Sequence, residues 1–169
     1  MIFILVSELC KKAMGRLLFI NSQINYCINV WGSANATQIQ RVQKLQNFAA
    51  KVADGSARKF DHVTPIIKEL KWLKIENQYH CNICCLVFKV LSDKLPEWFL
   101  TLPTVGEMNE GRTRQANDHF IPRTMLNVGS RAFNVRGPRL WNRLPISVKN
   151  SNSLTAFKTK LKHFLLGSQ

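Results

Sequence analysis

The sequence predicts a mainly α fold: a helical bundle with a small extended or β element and a C-terminal amphipathic helix. Three observations carry this. Apolar residues recur at helical spacing through most of the first 91 residues and again through 154–165. Helix starters and breakers punctuate those runs. Strand-like text is confined to residues 119–135. The organisation follows in three parts: a bundle over 1–100, a linker over 101–118, and a basic segment over 119–169 with short strands and a terminal helix.

The elements follow in order. Residues 3–20 alternate apolar clusters with Lys11, Lys12 and Arg16 and read as a helix. Ile24, Cys27, Ile28 and Trp31 then fall on one helical face, and Gly32-Ser33 supplies a stop through a left-handed glycine. Thr37 is positioned to cap the next helix. Its stripe is Val42, Leu45, Ala49 and Val52, joined by Ile39 and Phe48, and Asp54-Gly55 ends it. Thr64-Pro65 combines an N-cap with a proline in the first turn, where no N–H partner is needed. Ile66, Ile67, Leu70 and Leu73 follow. A long helix over 76–91 buries Tyr79, Ile83, Leu86, Val87 and Val90, and residues 95–100 make a short turn that docks Trp98 and Phe99.

Residues 101–118 hold Pro103, Gly106 and Gly111, mixed charges and no period, the pattern of a loop. Phe120–Pro122 and Ala132–Val135 read as short strands. Gly137-Pro138 turns the chain into a helical segment around Leu140-Trp141. The last helix opens at Ser153, with the stripe Leu154, Phe157, Leu161 and Leu165, and with Lys158, Lys160 and Lys162 facing elsewhere.

Charge sets the functional class. The 169 residues carry 24 Lys+Arg against 10 Asp+Glu, a net charge of +14. The surplus is uneven: the 51 residues after Asp118 contain nine cations and no acid. Such a field attracts polyanions, nucleic acid first and anionic membrane second. The plainer alternative is a solvated face that keeps the protein soluble, but solvated faces intersperse both signs. The terminal helix is also read as a dock for a protein partner. As a membrane anchor it is weak, because its apolar face is narrow and it has no second anchor.

The chemistry of carboxylate-held metals is missing. Polymerases and nucleases cluster acids around two divalent cations, whereas here Asp54, Asp61, Asp93 and Asp118 stand apart. No glycine-rich phosphate loop and no nucleophile elbow occurs. His80-Cys81-x-x-Cys84-Cys85, with His62, invites a zinc reading. One Cys pair supplies two ligands where a structural site needs four. The motif also continues the apolar pattern of the 76–91 helix, which makes these core cysteines, and no neighbour in sequence lowers a thiol pKa there. No catalytic residue, metal, cofactor or small-molecule substrate is expected. Trp31, Trp72, Trp98 and Trp141 are able to stack on bases, but their apolar neighbourhoods favour burial. Five cysteines without a secretory leader, and no stretch long enough to span a membrane, point to free thiols in nucleus or cytoplasm.

Several blocks carry a family likeness. They are Trp31-Gly32-Ser33-Ala34, Arg41–Asn47, Thr64-Pro65 with Leu70–Leu73, and Phe88–Leu91 with Leu95-Pro96. Toward the end come Thr113-Arg114, Pro122-Arg123-Thr124, Gly129-x-Arg131-Ala132-Phe133, Gly137-Pro138-x-Leu140-Trp141-Asn142-x-Leu144-Pro145 and Ser153–Leu166. In this order, across residues 20–166, they resemble the thumb and post-thumb region of non-LTR (LINE-type, jockey-like) retrotransposon reverse transcriptases. The resemblance implies a thumb-like bundle that grips RNA or an RNA–DNA hybrid by its backbone. The family's catalytic palm, with its Tyr/Phe-x-Asp-Asp site, has no counterpart in this sequence. The expectation is therefore a non-enzymatic fragment, with a palm or another protein as further partner. On the bundle, Arg41, Lys44, Lys51, Arg58 and Lys59 are the expected phosphate contacts. On the basic segment they are Arg123, Arg131, Arg136, Arg139, Arg143, Lys158, Lys160 and Lys162.

Overall fold

Helices dominate the fold, obtained as a computed structural model that describes residues 21–54, 62–92, 95, 101–108 and 114–167. The helix expected over 3–20, the Trp98-Phe99 turn, Arg58 and Lys59 lie outside the described residues. Two compact units are present: one of the residues up to Tyr79 together with those from Leu165 onward, the other His80–Phe164.

In the first unit, residues 21–25 are helical, followed by α1 (Ile28–Trp31), α2 (Ala36–Asp54), α3 (Thr64–Glu69) and the opening turn of α4 (Ile75–Leu91). The single helix expected over 24–31 is broken: Cys27 adopts φ 50° and is exposed, so only Ile28 of that stripe is fully buried. Gly32 does end α1, but with φ −64°, not a left-handed one. Its value is space, since a Cβ there would lie 2.5 Å from Cδ2 of the buried Tyr79.

α2 is capped two residues earlier than expected. Asn35 Oδ1 accepts from the Gln38 amide at 3.0 Å, leaving Thr37 inside the first turn. Its buried face is also rotated from the apolar stripe. Gln46, Ala49 and Ala50 are inside, while Leu45, Phe48 and Val52 are exposed. The cause is polar: Gln46 Nε2 donates to the Leu73 carbonyl at 2.9 Å, and Gln43 Oε1 accepts from the Ile75 amide at 2.9 Å. These two amides satisfy the connection into α4, whose backbone groups would otherwise lack partners. Thr64 stands at the first helical position of α3 and Val63 at its cap, with Pro65 in the first turn as expected. Ala50, Ile66 and Ile67 form a small core with Val63, Leu70 and Trp72 against it.

The second unit holds the rest of α4, α5 (Val105–Met108), a 3-10 turn at Gly129–Arg131, α6 (Phe133–Asn142), α7 (Ile146–Lys149) and most of α8 (Leu154–Gly167). Its centre is aromatic. Phe88 stacks on Phe157 at 4.6 Å between ring centroids, and Trp141 lies 5.5 Å from Phe157. Such pairs add to the burial of large apolar area. Gly137 and Pro138 turn nothing; both are buried inside α6, where a Cβ on Gly137 would stand 3.0 Å from Val87 Cγ2. The glycine lets α6 lie close on α4. The strand expected at Ala132–Val135 is accordingly the start of a helix.

Among the described residues the extended element reduces to one antiparallel bridge, Thr104 with His119. Residues 101–118, expected as a structureless linker, contain a capping box. The Thr104 amide donates to Glu107 Oε2 at 2.7 Å and the Glu107 amide to Thr104 Oγ1 at 3.3 Å. Ser153 caps α8 as expected, its hydroxyl accepting from the Ala156 amide.

Candidate nucleic-acid interface

The basic residues fall into the two units separately. Arg41 and Lys44 are exposed on α2 and Lys51 is half-buried on the same helix. They share that surface with the exposed Leu45, Phe48 and Val52. The other described candidates belong to the second unit.

There the chain brings two of them together. Arg123, on the extended segment after His119, and Arg139, on α6, line one open cleft of about 450 Å³ with Ile121, Pro122, Thr124 and Met125. Arg123 is exposed and Arg139 half-buried. The segment is held by the Asn142 side chain, whose Oδ1 accepts from the His119 amide and whose Nδ2 donates to the His119 carbonyl. His119 Nδ1 donates to the Leu102 carbonyl at 2.9 Å, and the Phe120 amide to the Pro103 carbonyl. Arg123 thus extends from an anchored backbone, and Arg139 from a helix packed on α4. No protein-family model, curated protein or solved structure matches the chain. Two guanidinium forks on an open, partly apolar surface suit a phosphodiester chain.

The remaining cations are distributed more widely. Arg136 Nη2 donates to His80 Nε2 at 3.4 Å, so this arginine is tied to the fold. Lys160 Nζ donates to the Ser147 carbonyl at 3.2 Å and Lys149 Nζ to the Asn142 carbonyl at 3.4 Å. Arg131 closes the 3-10 turn and is half-buried, whereas Arg143, Lys158 and Lys162 are exposed. The apolar stripe of α8 is consumed internally. Phe157 and Leu161 are fully buried and Leu165 nearly so, which corrects the expectation that this stripe docks a partner.

Cys81, Cys84 and Cys85 are buried free thiols, as expected of core cysteines. Among the described residues no three His, Cys, Asp or Glu side chains converge on a metal position. The thiols nevertheless differ. Hydrogen bonding from Cys85 lowers the Cys81 pKa, helped by Lys158 and Lys162 of α8, against the opposing effect of burial. The sequence reading missed this, because those lysines lie more than seventy residues away along the chain. Burial, with Cys81 adding to it, pushes Cys84 up to about 12. Among the described residues no helix is long and apolar enough to cross a membrane.

Sequence reasoning did not single out Met125, which lines the cleft, or Leu126 and Val128, which follow it in the chain. Met125, Leu126 and Val128 are fully or largely exposed. Their signal was present, an apolar pair between Arg123 and Arg131 in a stretch with no helical period.

Proposed function

We propose that this chain binds RNA or RNA–DNA duplex through the phosphate backbone, as the thumb-like and post-thumb part of a non-LTR reverse-transcriptase-like protein, and contributes grip rather than catalysis. The observation that carries the reading is the pairing of Arg123 and Arg139 on one cleft, within a segment that has no acid after Asp118. Guanidinium groups recognise phosphate oxygens bidentately and remain charged at any physiological pH. Phosphate contacts fix register without reading sequence, so binding is sequence-tolerant and steeply salt-dependent.

The test is titration of the chain with an RNA–DNA hybrid across a salt series. A log–log slope of several units is expected. The double charge reversal Arg123→Glu/Arg139→Glu weakens binding and lowers the slope by about 2, close to one per lost phosphate contact. A flat salt response sinks the reading.

A second reading, a protein-interaction module, draws on the exposed Leu45, Phe48 and Val52 of α2. Exposed apolar groups that share a helix face mark docking surfaces more often than bare solvent faces. Its signature is capture of a protein that survives nuclease and high salt and is lost in Leu45→Ser/Phe48→Ser.

A further inference from the structure

The turn beside the arginine cleft carries its apolar side chains outward. Met125 is 103% exposed, Leu126 73% and Val128 75%. This tip is not slack. The Ser130 amide donates to the Leu126 carbonyl at 3.2 Å, Ser130 Oγ to the Asn127 carbonyl at 2.7 Å, and the Arg131 amide to the Val128 carbonyl at 3.1 Å. Its two limbs also touch: a Cβ on Gly129 would lie 3.3 Å from Thr124 Cβ and Cγ2. The base of the turn is cationic, with Arg123 and Arg139 lining the cleft that Met125 borders. The result is a preformed apolar point set on guanidinium groups, with no carboxylate after Asp118 in sequence.

Two other occupants fit this geometry poorly. Three side chains on one turn fall far short of the roughly 800 Å² per partner of a stable protein interface. Interfacial membrane binding scales with the apolar area buried, and three side chains on one turn bury little. A base step in a duplex matches both halves of the feature. Proteins that deform duplexes insert Met, Leu, Ile, Phe or Pro between base steps beside Arg and Lys set in the groove, and guanidinium groups also recognise the phosphates. We propose that residues 125–128 form a wedge that enters a base step of the double-stranded nucleic acid held by Arg123 and Arg139, which rests on the phosphate-binding reading above. The duplex bound here would be unstacked at the wedge, so sites that unstack readily, such as mismatches and duplex ends, are preferred.

The experiment uses the full chain and an RNA–DNA hybrid with 2-aminopurine placed at successive positions of the DNA strand. Binding is followed by anisotropy and unstacking by 2-aminopurine fluorescence. Wild type is expected to bind and to raise the fluorescence at one or a few positions. Met125→Ser/Leu126→Ser is expected to lose that rise while keeping the salt slope, with unchanged far-ultraviolet circular dichroism to show that it folds. Binding without any fluorescence rise overturns the wedge and leaves the phosphate reading standing. A rise that persists in the double variant also overturns it, as does loss in that variant of binding to phosphatidylserine vesicles that wild type holds. Absence of hybrid binding in dilute buffer removes the phosphate reading, and the wedge with it.

Discussion

Asn142 and His119 exchange two hydrogen bonds: the His119 amide donates to Asn142 Oδ1 at 3.1 Å, and Asn142 Nδ2 donates to the His119 carbonyl at 2.9 Å. One side-chain amide thereby does for a lone extended residue what a neighbouring strand does in a sheet. On its other side His119 bridges to Thr104, so a segment with no sheet around it is fixed from both edges. The same segment leads into Arg123, which links a helix-end asparagine to the placement of a proposed phosphate contact.

Asn142→Leu is expected to cost about 2 kcal/mol or more, because two buried backbone groups of His119 lose their partners. Urea unfolding measures it. Amide exchange should quicken at Phe120 and Val105, whose amides donate to the Pro103 and Asp118 carbonyls. Affinity for an RNA–DNA hybrid should fall although no cation has been removed, since Arg123 then extends from a loosened backbone. Unchanged exchange at both amides would refute the anchoring role.

Gln46 gives a second prediction, and it inverts the order that the apolar stripe suggests. Gln46→Leu puts a hydrophobe at a 2% exposed position, yet strands the Leu73 carbonyl and one N–H of Gln43. A loss of about 1–3 kcal/mol follows. Phe48→Gln, at a 69% exposed site, should lie within about 0.5 kcal/mol of wild type. Paired urea midpoints decide it; equal losses would return Phe48 to the core.

The helices α2, α4 and α8 show what the sequence made legible. The existence of α2, α4 and α8, and the burial of Tyr79, Val87, Phe157 and Leu161, followed from helical spacing alone, because a core accepts apolar groups without regard to partner. The rotation of α2 was hidden, since Gln43 and Gln46 are buried to satisfy backbone at Leu73 and Ile75, an obligation created by a loop some thirty residues on. Gly137 misled for a similar reason: its role is the approach of Val87, which no local pattern encodes. At the candidate site, Arg123 and Arg139 were identified by charge, but their shared cleft depends on the Asn142–His119 anchor. The Met125–Val128 tip was missed because its one signal, an apolar pair in a loop, has no period to mark it.

Lys71 provides a test at the end of α3. It adopts φ 53°, and the Trp72 amide donates to the Ile67 carbonyl while the Lys71 amide donates to that of Lys68, a Schellman arrangement with lysine where glycine usually sits. A left-handed conformation costs a non-glycine residue about 1–2 kcal/mol, and glycine's extra unfolded-state freedom returns part of that. Lys71→Gly is therefore expected to stabilise by up to about 1 kcal/mol, and Lys71→Val to destabilise. Thermal melts of the two variants with opposite signs would bear this out; the same sign for both would rule out the strained cap.

The thiols of α4 give a pH dependence. Cys84 is pushed from 9.0 up to about 12, by burial first and by Cys81 second. The unfolded chain therefore loses this proton before the folded one does. Its contribution to stability is whole below about pH 9 and declines as pH rises toward 12, by at most about 1.4 kcal/mol per pH unit. Cys84→Ala should abolish that decline, so the gap between wild-type and variant urea midpoints narrows or reverses from about pH 8 to about pH 11. Cys81 behaves oppositely: it accepts a hydrogen bond from Cys85 and faces Lys158 and Lys162, so its thiolate forms first among the three. Lys158→Gln/Lys162→Gln should raise the pH at which Cys81 is alkylated and leave the exposed Cys27 unaffected. A parallel shift at Cys27 would show that the lysines act on the whole chain and not on this thiol.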